Sequence, residues 1–157
     1  MLQSSHPLPV YGIDTSSLGH IREVFETQDQ LTIWTNVADL ITTGRLKTVS
    51  FVMSEFSGWE EYAHLKPFRK QMVVDDKILI PIVSRLVRQY EGLLNTNRRA
   101  NQADPWIIAM CLHYGCVPVA NERMEHRRGR MSIAWVCQQE GLTPITLEEL
   151  VAIEGLL

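Results

Sequence analysis

Cysteine is scarce in this chain: Cys111, Cys116 and Cys137 make an odd set with no CxxC spacing. A disulfide framework is therefore not expected, and the three thiols read as reduced and mostly buried. Long apolar runs are missing as well, and without ~18 consecutive apolar residues no membrane span is expected. The stretch from Met1 to Pro9 has no basic residue and no long apolar segment, so it does not read as a secretory signal, and the reduced thiols are those expected of a cytoplasmic protein. Excess positive charge is absent too. Fifteen Lys and Arg against 18 Asp and Glu give a net charge of −3, unlike a protein that coats nucleic acid through a broad basic face. No GxGxxG, GxxxxGK[ST] or GxSxG occurs, which removes dinucleotide binding, P-loop chemistry and the common serine hydrolases. An aspartyl-nucleophile phosphatase would need a second Asp two residues after Asp14, where Ser16 stands. His6, His20, His64 and His113 are scattered and match no zinc spacing.

What remains is ordinary globular material. The 157 residues suit one domain, 1–157, with 1–8 as a flexible lead, and 45% hydrophobic with 21% charged residues excludes intrinsic disorder. Val10 to Ile13 reads as a buried strand ending at Asp14. Leu31, Trp34, Val37, Ala38 and Ile41 recur at helical spacing before Gly44. Leu46 to Val49 is a second strand, and Ser50 a cap for a helix through Val52, Phe56 and Trp59. Pro67 interrupts the stretch from Tyr62 to Asp76. Ile78, Leu79, Ile82, Val83, Leu86 and Val87 form an amphipathic stripe, and Asn95 to Gln102 a surface loop. Asp104 and Pro105 open a helix that Gly115 ends, followed by a third strand from Cys116 to Ala120 and a charged loop to Arg130. A short helix from Ile133 to Glu140, a fourth strand from Thr143 to Ile145, and a helix capped by the Thr146–Glu149 box complete the chain. Strands alternating with helices predict an α/β fold: a central parallel sheet of about four or five strands with helices on both faces.

Open parallel sheets bind ligands beyond the carboxyl ends of their strands. Asp14 follows the first strand, Glu55 lies one turn into the helix after the second, Asp104 opens the helix before the third, and Glu122 follows the third. Four converging carboxylates raise one another's pKa unless a cation neutralises them. Mg²⁺ or Mn²⁺ suits such oxygen ligands and activates water against phosphodiesters. Taken singly, each acid also has a structural explanation. Asp104 before Pro105 is a good N-cap, Asp14 a turn or cap residue, Glu55 a solvated helix residue and Glu122 an ordinary surface acid.

The order Tyr11-Gly12-Ile13-Asp14-Thr15-Ser16-Ser17, Ser54-Glu55, and Ala103-Asp104-Pro105-Trp106-Ile107-Ile108-Ala109 resembles the PIN domain, and more narrowly the PIN-like toxins related to VapC. The resemblance continues through Gly115 to Glu122, Ile133 to Cys137 and Gly141 to Leu150. Each element is short, and their order and strand–helix context carry the likeness. The resemblance implies a metal-dependent endoribonuclease, the toxin of a bacterial type II toxin–antitoxin pair, usually a homodimer. Asp14, Glu55 and Asp104 match the three core metal-binding acids and Glu122 the fourth. Thr15 or Ser16 would hold a ligating carboxylate from behind. One departure is Ala120, where relatives generally carry a threonine or serine before the fourth acid.

Arg123, Arg127, Arg128 and Arg130, with His126, form the densest basic cluster, and Arg98 and Arg99 a weaker one. These arginines are candidates for gripping RNA phosphates or an acidic antitoxin segment, and equally for surface ion pairs. Trp34, Trp59, Trp106 and Trp135 mostly fall on apolar faces and read as core or subunit packing rather than base-stacking residues. The alternative function is a catalytically inactive PIN-like module that binds RNA or protein.

Overall fold

Tyr11, Gly12 and Ile13 form β1 (Tyr11–Ile13), all three buried. The structure, a computed structural model, describes residues 7–24, 30–91, 103–121, 126–127 and 130–157. β1 lies at the centre of a parallel sheet, between β2 (Leu46–Lys47) and β3 (Val117–Val119), in the order β2-β1-β3. Tyr11 pairs with Leu46 on one side and Val117 on the other, and Ile13 with Val119. The chain thus leaves β1 for one neighbour and later returns to the opposite one. The carboxyl end of β1 is where strand order reverses, the place such sheets keep for ligands. Asp14 stands there, its backbone N–H still donating to the Val119 carbonyl at 3.3 Å.

The fold is α/β, and among the described residues its parallel sheet has three strands, fewer than the four or five expected. Residues 143–145 do not form a strand. Ile145 makes a single parallel bridge to Val119, and the preceding Pro144, lacking an N–H, cannot extend the ladder. A second single bridge, Thr48 to Val73, lies beyond β2. The expected charged loop from Asn121 to Arg130 holds, in its described part, β4 (His126–Arg127), which pairs antiparallel with β5 (Arg130–Met131).

The helices follow from local signals. α1 (Thr15–Val24) starts directly after Asp14. α2 (Gln30–Thr42) buries Ile33, Trp34, Val37, Leu40 and Ile41. α3 (Ser50–Phe56) ends before Ser57-Gly58, so Trp59 lies outside it. Ser50 does not cap this helix: Val49 occupies the cap position with no side-chain bond, and the Ser50 hydroxyl donates to Asp76 instead. Around Pro67 the chain breaks into α4 (Tyr62–Leu65), a 3₁₀ turn (Lys66–Phe68) and α5 (Arg69–Met72). α6 (Asp76–Gln89) buries Leu79, Val83 and Leu86 and leaves Ile78 exposed. α8 (Ile133–Gln139) is capped by Ser132, and α9 (Leu147–Glu154) has the complete Thr146–Glu149 box.

α7 (Asp104–Tyr114) is apolar around most of its length and buried from Ile107 to Cys111, with only His113 and Tyr114 exposed at its end. It packs along α6 and against β1 and α8. Deleting Ile107 or Ile108, both fully buried, to alanine would cost about 2–5 kcal/mol. α7 approaches β1 so closely that a Cβ on Gly12 would lie 2.6 Å from Met110 Cε and 2.7 Å from Cys111 Sγ. Any larger residue at position 12 would force the Met110 and Cys111 side chains to shift, so glycine allows the middle of α7 to pack closely on the sheet that ends in Asp14. Asp104 is the first residue of α7 and not its N-cap. Ala103 holds the cap position without a side-chain bond, which corrects the capping role expected for Asp104. All three cysteines are free and buried. Among the described residues no helix is long and apolar enough to cross a membrane.

Candidate functional site

Asp14 is 5% exposed and Asp104 8% exposed. Asp14 Oδ1 accepts the Ser17 N–H at 2.8 Å and Oδ2 accepts the Ser16 hydroxyl at 2.9 Å, so the carboxylate caps α1 while burying its charge. Ser17 in turn donates its hydroxyl to the Val119 carbonyl at 3.1 Å, tying the start of α1 to β3. Thr15 donates its hydroxyl to Glu55 Oε2, joining the second acid to the first across α1 and α3.

Burial pushes the Asp14 carboxyl above the ordinary range, its serine bonds oppose this, and the negative charge of Glu55 adds to it. Burial likewise raises Glu55, against the pull of the Thr15 bond. Burial, then the charges of Asp104, Asp14 and Glu140, push the buried Cys137 thiol up to about 12. Asp14, at the carboxyl end of β1, thus feels the charge of Glu55, to which the hydroxyl of the adjacent Thr15 donates. No salt bridge to Asp14 or Glu55 occurs among the described residues. No group of three or more His, Cys, Asp or Glu side chains among the described residues is gathered closely enough to hold a metal. Glu122 lies outside the described residues, as do Arg98, Arg99, Arg123 and Arg128. Arg127 and Arg130 belong to the β4–β5 pair.

Asp14 and Glu55 offer carboxylate oxygens, the type of donor a hard divalent cation takes, and burial penalises the charge that each carries.

Beside these acids runs an open groove of about 790 Å³, lined among others by Thr15, Ser16, His20, Glu55, Trp59 and Glu148. Trp59 is 42% exposed, so of the core or subunit packing expected for it, the core is ruled out. His20 Nε2 lies 2.8 Å from Glu148 and Nδ1 3.1 Å from Glu23, and whichever ring nitrogen carries a proton donates to its carboxylate. Burial lowers the His20 pKa, but the bonds to Glu148 and Glu23 outweigh it and leave the imidazole above its ordinary value. Asn121, next to Glu122 in sequence, also lines the groove and accepts the Leu147 N–H at 2.9 Å.

Sequence reasoning did not single out His20, Trp59, Asn121 or Glu148. One signal was available: Ser16, His20 and Glu23 fall at i, i+4 and i+7 on one face of α1. Residues 11–156 match the model of a family described as a domain of unknown function, DUF4411. The chain belongs to the DUF4411 family. The match spans both the buried acids and the groove, from β1 to the end of α9. No match to a curated protein is found.

Proposed function

We propose that this DUF4411 chain is a cytoplasmic, metal-dependent endoribonuclease, the toxin of a bacterial type II toxin–antitoxin pair. Its architecture is PIN-like, with helices on both faces of the sheet and a homodimeric assembly. The observation that carries the reading is the arrangement of Asp14, Glu55 and Asp104. Asp14 is buried where β1 ends between its two neighbours, the hydroxyl of the adjacent Thr15 donates to Glu55, and Asp104 is a buried acid at the start of α7, which supports the reading.

Asp14, Glu55 and Asp104 would hold Mg²⁺ or Mn²⁺, with Glu122 as the fourth acid. When bound, such an ion supplies charge neutralisation at the scissile phosphate and a water of lowered pKa. The chain's own residues do the positioning. Ser16 and Ser17 fix the Asp14 carboxylate through both of its oxygens, and Thr15 fixes Glu55. Residues held in this way need no reorganisation when charge develops. The open groove admits a single strand beside the acids, and the arginines at 98, 99, 123, 127, 128 and 130 serve RNA phosphates or an acidic antitoxin segment.

The second reading, a non-catalytic RNA- or protein-binding module, is favoured by Ala120 and by the lack of a three-acid cluster among the described residues. The test is cleavage of RNA by the purified chain in Mn²⁺ or Mg²⁺ and in EDTA. Cleavage that appears only with the metal supports the nuclease. RNA binding with no cleavage in either supports the module.

A further inference from the structure

The groove holds a surface that metal-dependent hydrolysis does not need. Trp59 is a large aromatic side chain, 42% exposed, on the wall of the groove that also contains Glu55. Its ring packs against α1 at Gly19, where a Cβ would come within 2.5 Å of two ring atoms. Phe56 supports it at a centroid distance of 5.8 Å. The indole is thus held in place before anything binds, which reduces the ordering cost of stacking on it. Any nucleobase can stack on such a face, and each stacked base typically strengthens binding by roughly ten- to a hundredfold.

The rest of the lining selects among bases. Glu23 and Glu148 each engage His20 through one carboxylate oxygen, and each has a second oxygen that can accept. Asn121 uses its carbonyl oxygen on the Leu147 N–H, which leaves the amide nitrogen to donate. Carboxylates repel the sugar–phosphate backbone but accept from base N–H groups. A carboxylate beside an amide donor complements an edge with two adjacent N–H groups and one carbonyl, which is the Watson–Crick edge of guanine. We propose that this groove is a guanine-binding subsite in which Trp59 stacks an unpaired base and Glu148 accepts from its edge. The proposal rests on the nuclease reading for its substrate, since it places guanine next to the scissile phosphate.

The test uses the full chain in EDTA, so that no cleavage intrudes, with uridine pentamers carrying one central G, A, C or U. Tryptophan fluorescence and the anisotropy of labelled pentamers report binding. The G pentamer is expected to quench fluorescence and bind at least tenfold tighter than the all-uridine one. Trp59→Phe should lose most of the quenching, and Trp59→Ala should weaken binding roughly tenfold or more. Glu148→Gln, a conservative change on an exposed position of α9, should erase the preference for G while circular dichroism stays unchanged. Quenching unchanged in Trp59→Phe, or a G pentamer that binds no tighter than uridine, overturns the proposal. Cleavage in Mn²⁺ is scored separately. Guanine binding without cleavage would retain the subsite and remove the nuclease, and cleavage without guanine preference would do the reverse.

Discussion

Replacing Asp14 with asparagine should make the metal-free protein more stable. The Asn Oδ1 can keep the Ser17 N–H bond that caps α1, while the Ser16 bond becomes neutral rather than charge-assisted. That exchange loses about 1 kcal/mol. Against it stands the removal of a charge from a site 5% exposed, where the effective penalty is several kcal/mol per ion. The upward direction of the Asp14 pKa says that burial outweighs the hydrogen bonds that Asp14 receives. The net expectation is a gain of about 1–2 kcal/mol at neutral pH in EDTA. The pH dependence has a fixed sign. A carboxyl whose folded pKa is raised favours the folded state while protonated, and that stability is lost as pH rises through the folded value. The wild type should show this fall, and Asp14→Asn should lack it. Urea unfolding reads the difference as a shift of midpoint at constant slope. Manganese should reverse the order, because an ion at a hundred times its dissociation constant adds about 2.7 kcal/mol to the protein that binds it. Destabilisation of Asp14→Asn by 2 kcal/mol or more in EDTA, or equal stabilisation of both proteins by Mn²⁺, would refute the reasoning.

Three further outcomes are expected. Thr15→Val removes the hydroxyl that holds Glu55 at nearly constant volume, so metal-dependent cleavage should fall roughly 10- to 100-fold with little change in urea midpoint. Gly12→Ala forces a Cβ to within 2.7 Å of Met110 and Cys111, and thermal unfolding should show a loss of about 1–3 kcal/mol. Glu140 receives Arg85 and the Tyr90 hydroxyl, and the Arg85 bond holds its carboxyl below the ordinary range. Its contribution is present above the usual glutamate value and lost as pH falls through the folded one. Glu140→Gln should therefore cost about 1 kcal/mol at pH 7, the exposure of Arg85 screening the pair, and flatten the acid limb of the stability curve.

The parts of the fold legible in sequence are those with a local cause. β1 is a buried apolar run closed by Asp14, and α9 announces itself through Thr146 and Glu149. The errors came where a neighbour distant in sequence decides. Ser50 has the chemistry of a cap, but Asp76, 26 residues away, takes its hydroxyl. Trp59 continues the helical spacing of Val52 and Phe56, yet Gly58 turns the chain out of α3 and onto the exposed side of α1. Thr143 to Ile145 has the composition of a strand, and Pro144 limits it to one bridge. For the site, the acids at the ends of strands were visible because parallel topology predicts where ligands bind. The groove was not, since His20, Trp59, Asn121 and Glu148 come from four separate segments that only the tertiary fold assembles.

The most direct test of the central claim is RNA cleavage in Mn²⁺ by the wild type beside the Asp14→Asn, Asp104→Asn double variant. Asp104 is the first residue of α7 and not its cap, so asparagine there should leave the fold intact by circular dichroism. The account predicts cleavage by the wild type, none in EDTA, and none by the folded double variant. Full-rate cleavage by that variant would contradict it and remove the buried acids from the chemistry.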